Sequence, residues 1–372
     1  MRNKKVFPKA SPLQLPASQS TTLPSSFYNM PDSTASNLVM DVLGAGVDIA
    51  DLPARRKQVT NNTTYEVLQE GNKRRVSIKN PKAELTLELS DIERLAGSNK
   101  PAKKLFVLSL IKANEQAIHD GVLTQDYVSF PLKELVDIKF YKTIQSARKG
   151  FKDGAKTLTT FSVSGTIKKS KKKESTIDFL RVLFTGYDIK NGQCYLYFNP
   201  HIDWGFFAQY FTILPRYYFS LPNRASDLLY YIFYLARQNT KKLEEDGYFT
   251  ISFRAIQHQL QLPNEKGNRY PERTIKRPIE EAIEKIENEH HVTYGTMEFS
   301  LEPTYDEAAS IRDYLDNGYL KVKLEGDFAK MFIQISKDTK KQIRDAEKRK
   351  QSIIDKARAI NTAKAMDASP TK

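Results

Sequence analysis

Two hydrophobic periods alternate along the chain, and each predicts the element that forms where it holds. Tyr65, Val67 and Leu68 precede Gly71-Asn72, Val76 and Ile78 follow it, and Leu85, Leu87 and Leu89 alternate after Pro81. A Gly-Asn pair between apolar runs is a hairpin signal, so strands are expected here. The period then lengthens to that of a helix over Ala102 to Ile118, with Leu105, Leu108 and Ile111 apolar and Ser90 or Ser98 able to cap it. After Asp120-Gly121 come a brief strand at Tyr127 to Phe130 and a helix from Pro131 through Leu132, Leu135 and Val136. Proline suits the first helical turn, where no intrahelical N–H partner is lost. A turn at Ile138 to Tyr141 leads to a second helix with Ile144, Ala147, Phe151 and Leu158 on one side. Phe161, Val163, Gly165 and Ile167, returning through Ile177, Phe179, Val182 and Phe184, then predict a two-stranded ribbon. Helix, strand, helix, turn, helix and ribbon is the order of a winged helix.

Gln193 to Phe198 reads as a further strand, and the dense aromatics Trp204, Phe206, Phe207, Tyr210 and Phe211 beyond it read as core. Pro215 and Pro222 bracket a connector, after which the order repeats. Leu228, Leu229, Tyr231, Ile232, Phe233 and Leu235 mark a buried helix capped by Asn223 or Ser226. Tyr248 to Ser252 is a strand, and a helix runs from Phe253 through Leu260. Next comes a helix from Arg273 with Ile275, Ile279, Ala282, Ile283 and Ile286 on one stripe. Strands are expected at His291 to Tyr294, Met297 to Leu301 and Tyr319 to Leu324. Val128-Ser129-Phe130 matches Ile251-Ser252-Phe253, and Asp120-Gly121 matches Asp246-Gly247, at nearly equal offsets. The expected fold is therefore α+β, with tandem winged-helix domains at 59–205 and 206–330.

The flanks differ from both domains. Residues 1–58 carry Pro8, Pro12, Pro16, Pro24, Pro31 and Pro53 among Ser, Thr and Ala, a composition expected to stay disordered. Gly44-Ala45-Gly46 there lacks the third glycine of a nucleotide fingerprint. Residues 331–372 form a basic, helix-prone tail, in which 337–372 hold eleven Lys or Arg against five Asp or Glu.

Charge narrows the choice of partner. The 372 residues carry a formal net charge of +14, which favours a polyanion and nucleic acid before a membrane, provided the charge is clustered. It is clustered: Lys142 to Lys173 hold ten Lys or Arg against Asp153 alone. Lys142, Arg148, Lys149, Lys152 and Lys156 lie opposite the apolar side of their helix, and Lys168, Lys169, Lys171, Lys172 and Lys173 sit at the ribbon tip. A lysine run is ordinarily a solvated loop, but after a basic helix it also reads as a DNA-contacting wing. In the second domain Arg269, Arg273, Lys276 and Arg277 gather at a helix N-terminus, where the helix dipole disfavours cations, while Glu280, Glu281, Glu284 and Glu287 follow. An external polyanion at that end explains the inversion, because recognition helices meet DNA through their N-terminal residues. An amphipathic surface helix with a basic start is the plain alternative.

No catalytic or metal site is legible. His119, His201, His258, His290 and His291 include no His-x-His pair, no phosphate loop is present, and Glu244-Glu245 reads as solvated charge. No cofactor or metal is expected. Cys194, the single cysteine, allows neither a disulfide nor a thiolate zinc site and suits a reducing cytoplasm, where the chain is placed. No apolar run reaches membrane-spanning length and no signal peptide is read, so no membrane partner is expected.

The segment Arg273-Thr-Ile-Lys-Arg-Pro-Ile-Glu-Glu-Ala-Ile-Glu-Lys-Ile-Glu287, followed by His291-Val-Thr-Tyr294, resembles the second-domain recognition helix and first wing strand of the iteron-binding plasmid replication initiators. Leu214 to Arg237 is similar to that domain's connector and first helix, and the resemblance spans roughly 64–325. Pro278 departs from the pattern and implies a late helix start or a kink. The resemblance implies binding of repeated double-stranded origin DNA, opening of an adjacent A·T-rich duplex, a homodimer, and host replication helicase machinery as partner. It further implies base reading by Arg273, Lys276 and Arg277, with Thr274 among the DNA-binding residues, backbone contact by Arg269, and phosphate contact by Lys142, Arg148, Lys149, Lys152 and the Lys168 to Lys173 wing. A transcription regulator on the same fold stays open, as does a nickase or primase with an unrecognised site.

Overall fold

A computed structural model of the chain describes residues 27–32, 40, 57–60, 63–70, 73–80, 83–89, 92–120, 127–160, 162–167, 179–199, 210–260, 262–294, 299–304, 310–326, 329–330, 332–334 and 337. Gly44-Ala45-Gly46, Trp204, Phe206, Phe207, the Lys168 to Lys173 run and the tail beyond Lys337 lie outside the described residues. The fold is a mixture of helices and antiparallel sheets.

The stretch expected to be disordered contributes β1 (Phe27–Asp32), which pairs antiparallel with β11 (Tyr210–Pro215). Tyr28 and Met30 are buried, so two apolar residues at strand spacing and an available edge outweigh the proline-rich surroundings. A six-stranded antiparallel sheet runs β2 (Lys57–Thr60), β3 (Thr63–Glu70), β4 (Lys73–Asn80), β5 (Ala83–Leu89), β7 (Ser162–Ile167) and β8 (Phe179–Val182). Glu70 pairs with Lys73 across the two-residue Gly71-Asn72 connection, as the hairpin signal predicts. The ribbon expected to be the first unit's wing does pair as a hairpin, with Ser162 opposite Val182, but it extends this long sheet. Val163 falls opposite Leu87 and Ile167 opposite Ala83, so its apolar period is in register with β5.

The first helical unit comprises α1 (Ile92–Asp120), β6 (Tyr127–Pro131), α2 (Leu132–Asp137), α3 (Ile144–Thr160), β9 (Phe184–Lys190) and β10 (Gln193–Phe198). Its sheet runs β6-β10-β9, and the β9–β10 hairpin turns at Asn191 and Gly192, both at positive φ (51° and 77°). Two positive-φ residues in a two-residue loop match the twist of antiparallel strands, which is why Asn-Gly is favoured there. Val128, Phe130, Cys194, Leu196 and Phe198 alternate inward, and Phe130 packs edge-on against Phe151 of α3 at 5.9 Å. Burial pushes the Cys194 thiol up to about 12, which keeps it an apolar core group at neutral pH.

The second unit comprises α4 (Asn223–Gln238), α5 (Thr240–Asp246), β12 (Tyr248–Ser252), α6 (Phe253–Gln259), a π turn (Glu272–Lys276) continuous with α7 (Arg277–Tyr294), β13 (Phe299–Thr304), α8 (Ile311–Asn317) and β14 (Tyr319–Leu324). Its sheet runs β12-β14-β13, so in both units the last strand is central and the first runs straight into a short helix. Those helices begin after Pro131 and Ser252 respectively. That equivalence sets Phe130 against Ile251 and Leu132 against Phe253, all buried. The Val128-Ser129-Phe130 match is thus out of step by two residues, which preserves the inward face.

Three further expectations are corrected. His291 to Tyr294 is the last turn of α7 and not a strand; each residue added to a formed helix gains a backbone bond, and the edge of β14 is taken by β13. Neither Asn223 nor Ser226 caps α4, which starts after Pro222; Ser226 lies inside the first turn and its hydroxyl donates to the Asn223 carbonyl at 2.8 Å. Ile144, the first residue of α3, is 46% exposed, while Ala147, Phe151 and Leu158 are buried as expected.

The two units meet at a 3-10 turn, Arg216–Phe219. From α1, the Lys104 ammonium donates to the carbonyls of Phe219 (3.0 Å) and Leu221 (2.5 Å), and Lys103 pairs with Asp227 at 2.5 Å. From α7, Glu289 accepts from Ser220 Oγ (3.1 Å) and pairs with Lys139 (3.5 Å), and His290 Nδ1 lies 3.1 Å from the Tyr217 hydroxyl. Burial lowers the Lys104 pKa from 10.5 to about 8, with Asp227 opposing and Lys103 adding to the fall. The unfolded chain therefore keeps a proton that the folded chain has lost between those values, so Lys104 should make stability rise with pH from about 8 to 10.5. The full difference corresponds to about 3 kcal/mol. Urea midpoints at pH 7.5 and 9.5 check this: Lys104→Met should remove much of the upward trend, and an identical pH dependence in both proteins would refute it.

Candidate nucleic-acid interface

The approach to α7 is built from short polar bonds. Gly267 adopts φ 75°, a left-handed position that glycine takes without strain, and the Lys266 N–H donates to Asn264 Oδ1 at 2.9 Å. Asn268 Oδ1 accepts from the Tyr270 N–H at 3.0 Å, and its amide donates to Thr274 Oγ1 at 2.7 Å. Thr274 Oγ1 also donates to the Tyr270 carbonyl at 2.9 Å. The loop is anchored to α6 and α8 by Arg254, which reaches Glu265 (2.8 Å), Gln257 (3.3 Å) and Asp316 (2.6 Å). That guanidinium holds the Asp316 carboxyl below its ordinary range.

Pro278 produces the π turn. Proline donates no backbone hydrogen bond, and its ring would clash with the carbonyl four residues back in a regular helix. A wider turn, in which the Arg277 N–H bonds to the Glu272 carbonyl, relieves the clash without ending the helix. Downstream, Ile279, Ala282, Ile283 and Ile286 are buried, as is Ile275 within the turn, so the apolar stripe is as expected.

The cations of this segment divide. Arg269, Arg273 and Arg277 are exposed at four-residue spacing, and Arg273 makes no hydrogen bond or ion pair among the described residues. Arg277 Nε donates to Glu281 Oε1 at 2.7 Å, leaving its terminal nitrogens outward with the side chain 71% exposed. Lys276, expected on the exposed side, turns inward: its ammonium lies 5.5 Å from the Tyr314 ring centroid and 3.7 Å from Glu272. Thr274 is half-buried and its hydroxyl is engaged in the loop bonds above. Lys276 follows Ile275 by one residue and precedes Ile279 by three, so it borders the buried stripe, whereas Arg273 and Arg277 lie opposite it.

In the first unit, Thr143 and Ser146 close the start of α3 reciprocally. Thr143 Oγ1 accepts from the Ser146 N–H (3.1 Å) and Ser146 Oγ from the Thr143 N–H (3.0 Å), a capping box made with serine. Lys142, Arg148, Lys149 and Lys152 are exposed and make no ion pair among the described residues; Lys156 is exposed on the same helix. The structure brings Arg148, Lys149 and Lys152 together on α3, with Lys142 two residues before its start, while Lys168, Lys169, Lys171, Lys172 and Lys173 lie outside the described residues. α3 can approach α1 closely because Gly154 sits against its backbone, where a Cβ would lie 3.3 Å from the Pro101 carbonyl carbon.

Sequence reasoning missed Tyr270, 58% exposed beside Arg269, and the β9–β10 hairpin. Asn191-Gly192 signals that hairpin, and Asn268 two residues before Tyr270 signals the side-chain turn that fixes it. Among the described residues, no group of three or more His, Cys, Asp or Glu could hold a metal ion, and no helix is long and apolar enough to cross a membrane.

No protein-family profile matches the chain, and no curated protein matches it. Among solved structures, the chain is similar to a crystal structure of RctB domains 2 and 3, at TM-score 0.37 and 9% identity, over 77% of this chain and 98% of that one. It is also similar to the selenomethionine derivative of the same two domains, at TM-score 0.35 and 8% identity, over 77% and 99%.

Proposed function

We propose that the chain binds duplex DNA sequence-specifically, with each helical unit acting as a winged helix. The β9–β10 and β13–β14 strands are then the wing strands, and α3 and α7 are the recognition helices. The observation that carries this reading is the exposed arginine series on the π turn and the first turn of α7, held on a loop anchored by Arg254. Arginine donates two hydrogen bonds to guanine O6 and N7, and one such contact discriminates by about 1 to 3 kcal/mol. The α3 cations supply affinity for phosphate without regard to sequence. A replication initiator acting on repeated origin sites is the biological role proposed, on the resemblance of the Arg273 to Glu287 segment. A second copy of the chain and host helicase machinery are the further partners that role requires. α7 runs on to Tyr294, so the wing strand implied by that resemblance begins later, at Phe299.

Arg273 is the strongest single test, because none of the described residues hydrogen-bonds or pairs with it. Arg273→Ala should weaken binding to a selected cognate duplex about tenfold or more and binding to a scrambled duplex much less. Arg277→Ala should have a smaller effect, since Glu281 already takes its Nε hydrogen. Isotherms at fixed salt, with thermal melts confirming the fold, decide the matter; equal losses on both duplexes for both variants would make this helix a phosphate clamp.

A further inference from the structure

Arg269 is assigned above to the DNA backbone by resemblance, yet it lies over an aromatic ring whose own backbone is fixed. Its guanidinium carbon lies 5.4 Å from the Tyr270 ring centroid, within the range of a cation–π contact. Tyr270 is the most exposed large hydrophobic residue described, at 58%. Its backbone is fixed at both ends: the N–H donates to Asn268 Oδ1 (3.0 Å), and the carbonyl accepts from the Thr274 N–H (3.0 Å) and from Thr274 Oγ1 (2.9 Å). A phosphate accepts an arginine from many directions, so orienting the side chain beforehand gains little there. Bidentate contact to a base edge needs the planar fork to be oriented before binding.

We infer that Arg269 is a further base-reading residue for duplex DNA and that Tyr270 is its positioning residue, holding the guanidinium flat for two parallel hydrogen bonds to a purine edge in the groove that α7 enters. The inference rests on the proposed DNA-binding function and adds a specificity contact to it. Asn268 and Thr274 act one step further out, by fixing the backbone from which the ring projects.

The test uses the full chain and a duplex enriched by the wild type from a random pool, with fluorescence anisotropy at one salt concentration on that duplex and on a scrambled one. Arg269→Lys keeps the charge and removes the fork. Tyr270→Ala removes the platform, and Tyr270→Phe keeps it. Arg269→Lys and Tyr270→Ala should each weaken cognate binding about fivefold or more, with less than about twofold change on scrambled DNA, while Tyr270→Phe binds like the wild type. Combining Arg269→Lys with Tyr270→Ala should cost little more than either alone, because both remove one contact. Losses that multiply, equal losses on both duplexes, or unchanged cognate binding by Tyr270→Ala would each overturn the inference while leaving Arg273-based recognition standing. A wild type that prefers no duplex at all would overturn the DNA-reading function itself, and this inference with it.

Discussion

Gly318→Ala is expected to cost about 3 kcal/mol of stability or more, an effect at the upper end for one added methyl group. Gly318 joins α8 to β14 at φ −78°, so its backbone angle would suit any residue. Space is the constraint: a Cβ there would meet the Tyr314 carbonyl oxygen and lie 2.5 Å from Phe253 Cδ2. Neither neighbour can yield easily. Phe253 is buried, stacks on Tyr314 at 4.5 Å between centroids, and donates its N–H to the Gly318 carbonyl at 3.0 Å. The consequence reaches the interface, since Tyr314 is also the ring beneath Lys276 in the π turn. Urea unfolding should show a lowered midpoint, and DNA binding should weaken at temperatures where the wild type is still folded. An unchanged midpoint would mean that α8 can shift to make room.

The second large effect is on salt dependence. Replacing Lys142, Arg148, Lys149 and Lys152 together with Gln should reduce the slope of log affinity against log salt by about three to four, since each neutralised phosphate contributes about 0.9. All four are exposed, so the substitutions leave the Phe151 and Leu158 face of α3 intact. Specific and random duplexes should be affected alike, and the advantage of the wild type should narrow by roughly a hundredfold between about 50 and 200 mM salt. Replacing Lys168, Lys169, Lys171, Lys172 and Lys173 by Gln should flatten the slope further. A slope unchanged by the α3 substitutions would leave that face merely solvated.

What could be read from the sequence was whatever one element decides locally. Gly71-Asn72 fixes its own hairpin, and the isoleucine stripe of α7 fixes the buried side of a helix wherever that helix packs. Reading failed where a distant partner or a geometric exception decides. β1 depends on β11, far along the chain, and the β7–β8 ribbon depends on its register with β5. Both ribbons of the region carry wing-like patterns, and only strand pairing distinguishes the one beside the helices. At the interface, Arg273 and Arg277 face solvent as the helical stripe implies, whereas Lys276 does not. Lys276 borders the isoleucine stripe, and the π turn beside it follows from Pro278, which a sequence reads equally as a late start or a kink.

Base reading, beyond attraction to phosphate, is what sets the proposed function apart from general polyanion binding. Selection of duplexes from a random pool by the full chain, over successive rounds at about 0.15 M salt, tests it most directly. A defined motif should be enriched, containing at least one guanine whose replacement abolishes the preference, and that preference should be lost in Arg273→Ala. Recovery of a pool as random as the starting one, with binding that varies only with salt, would contradict it.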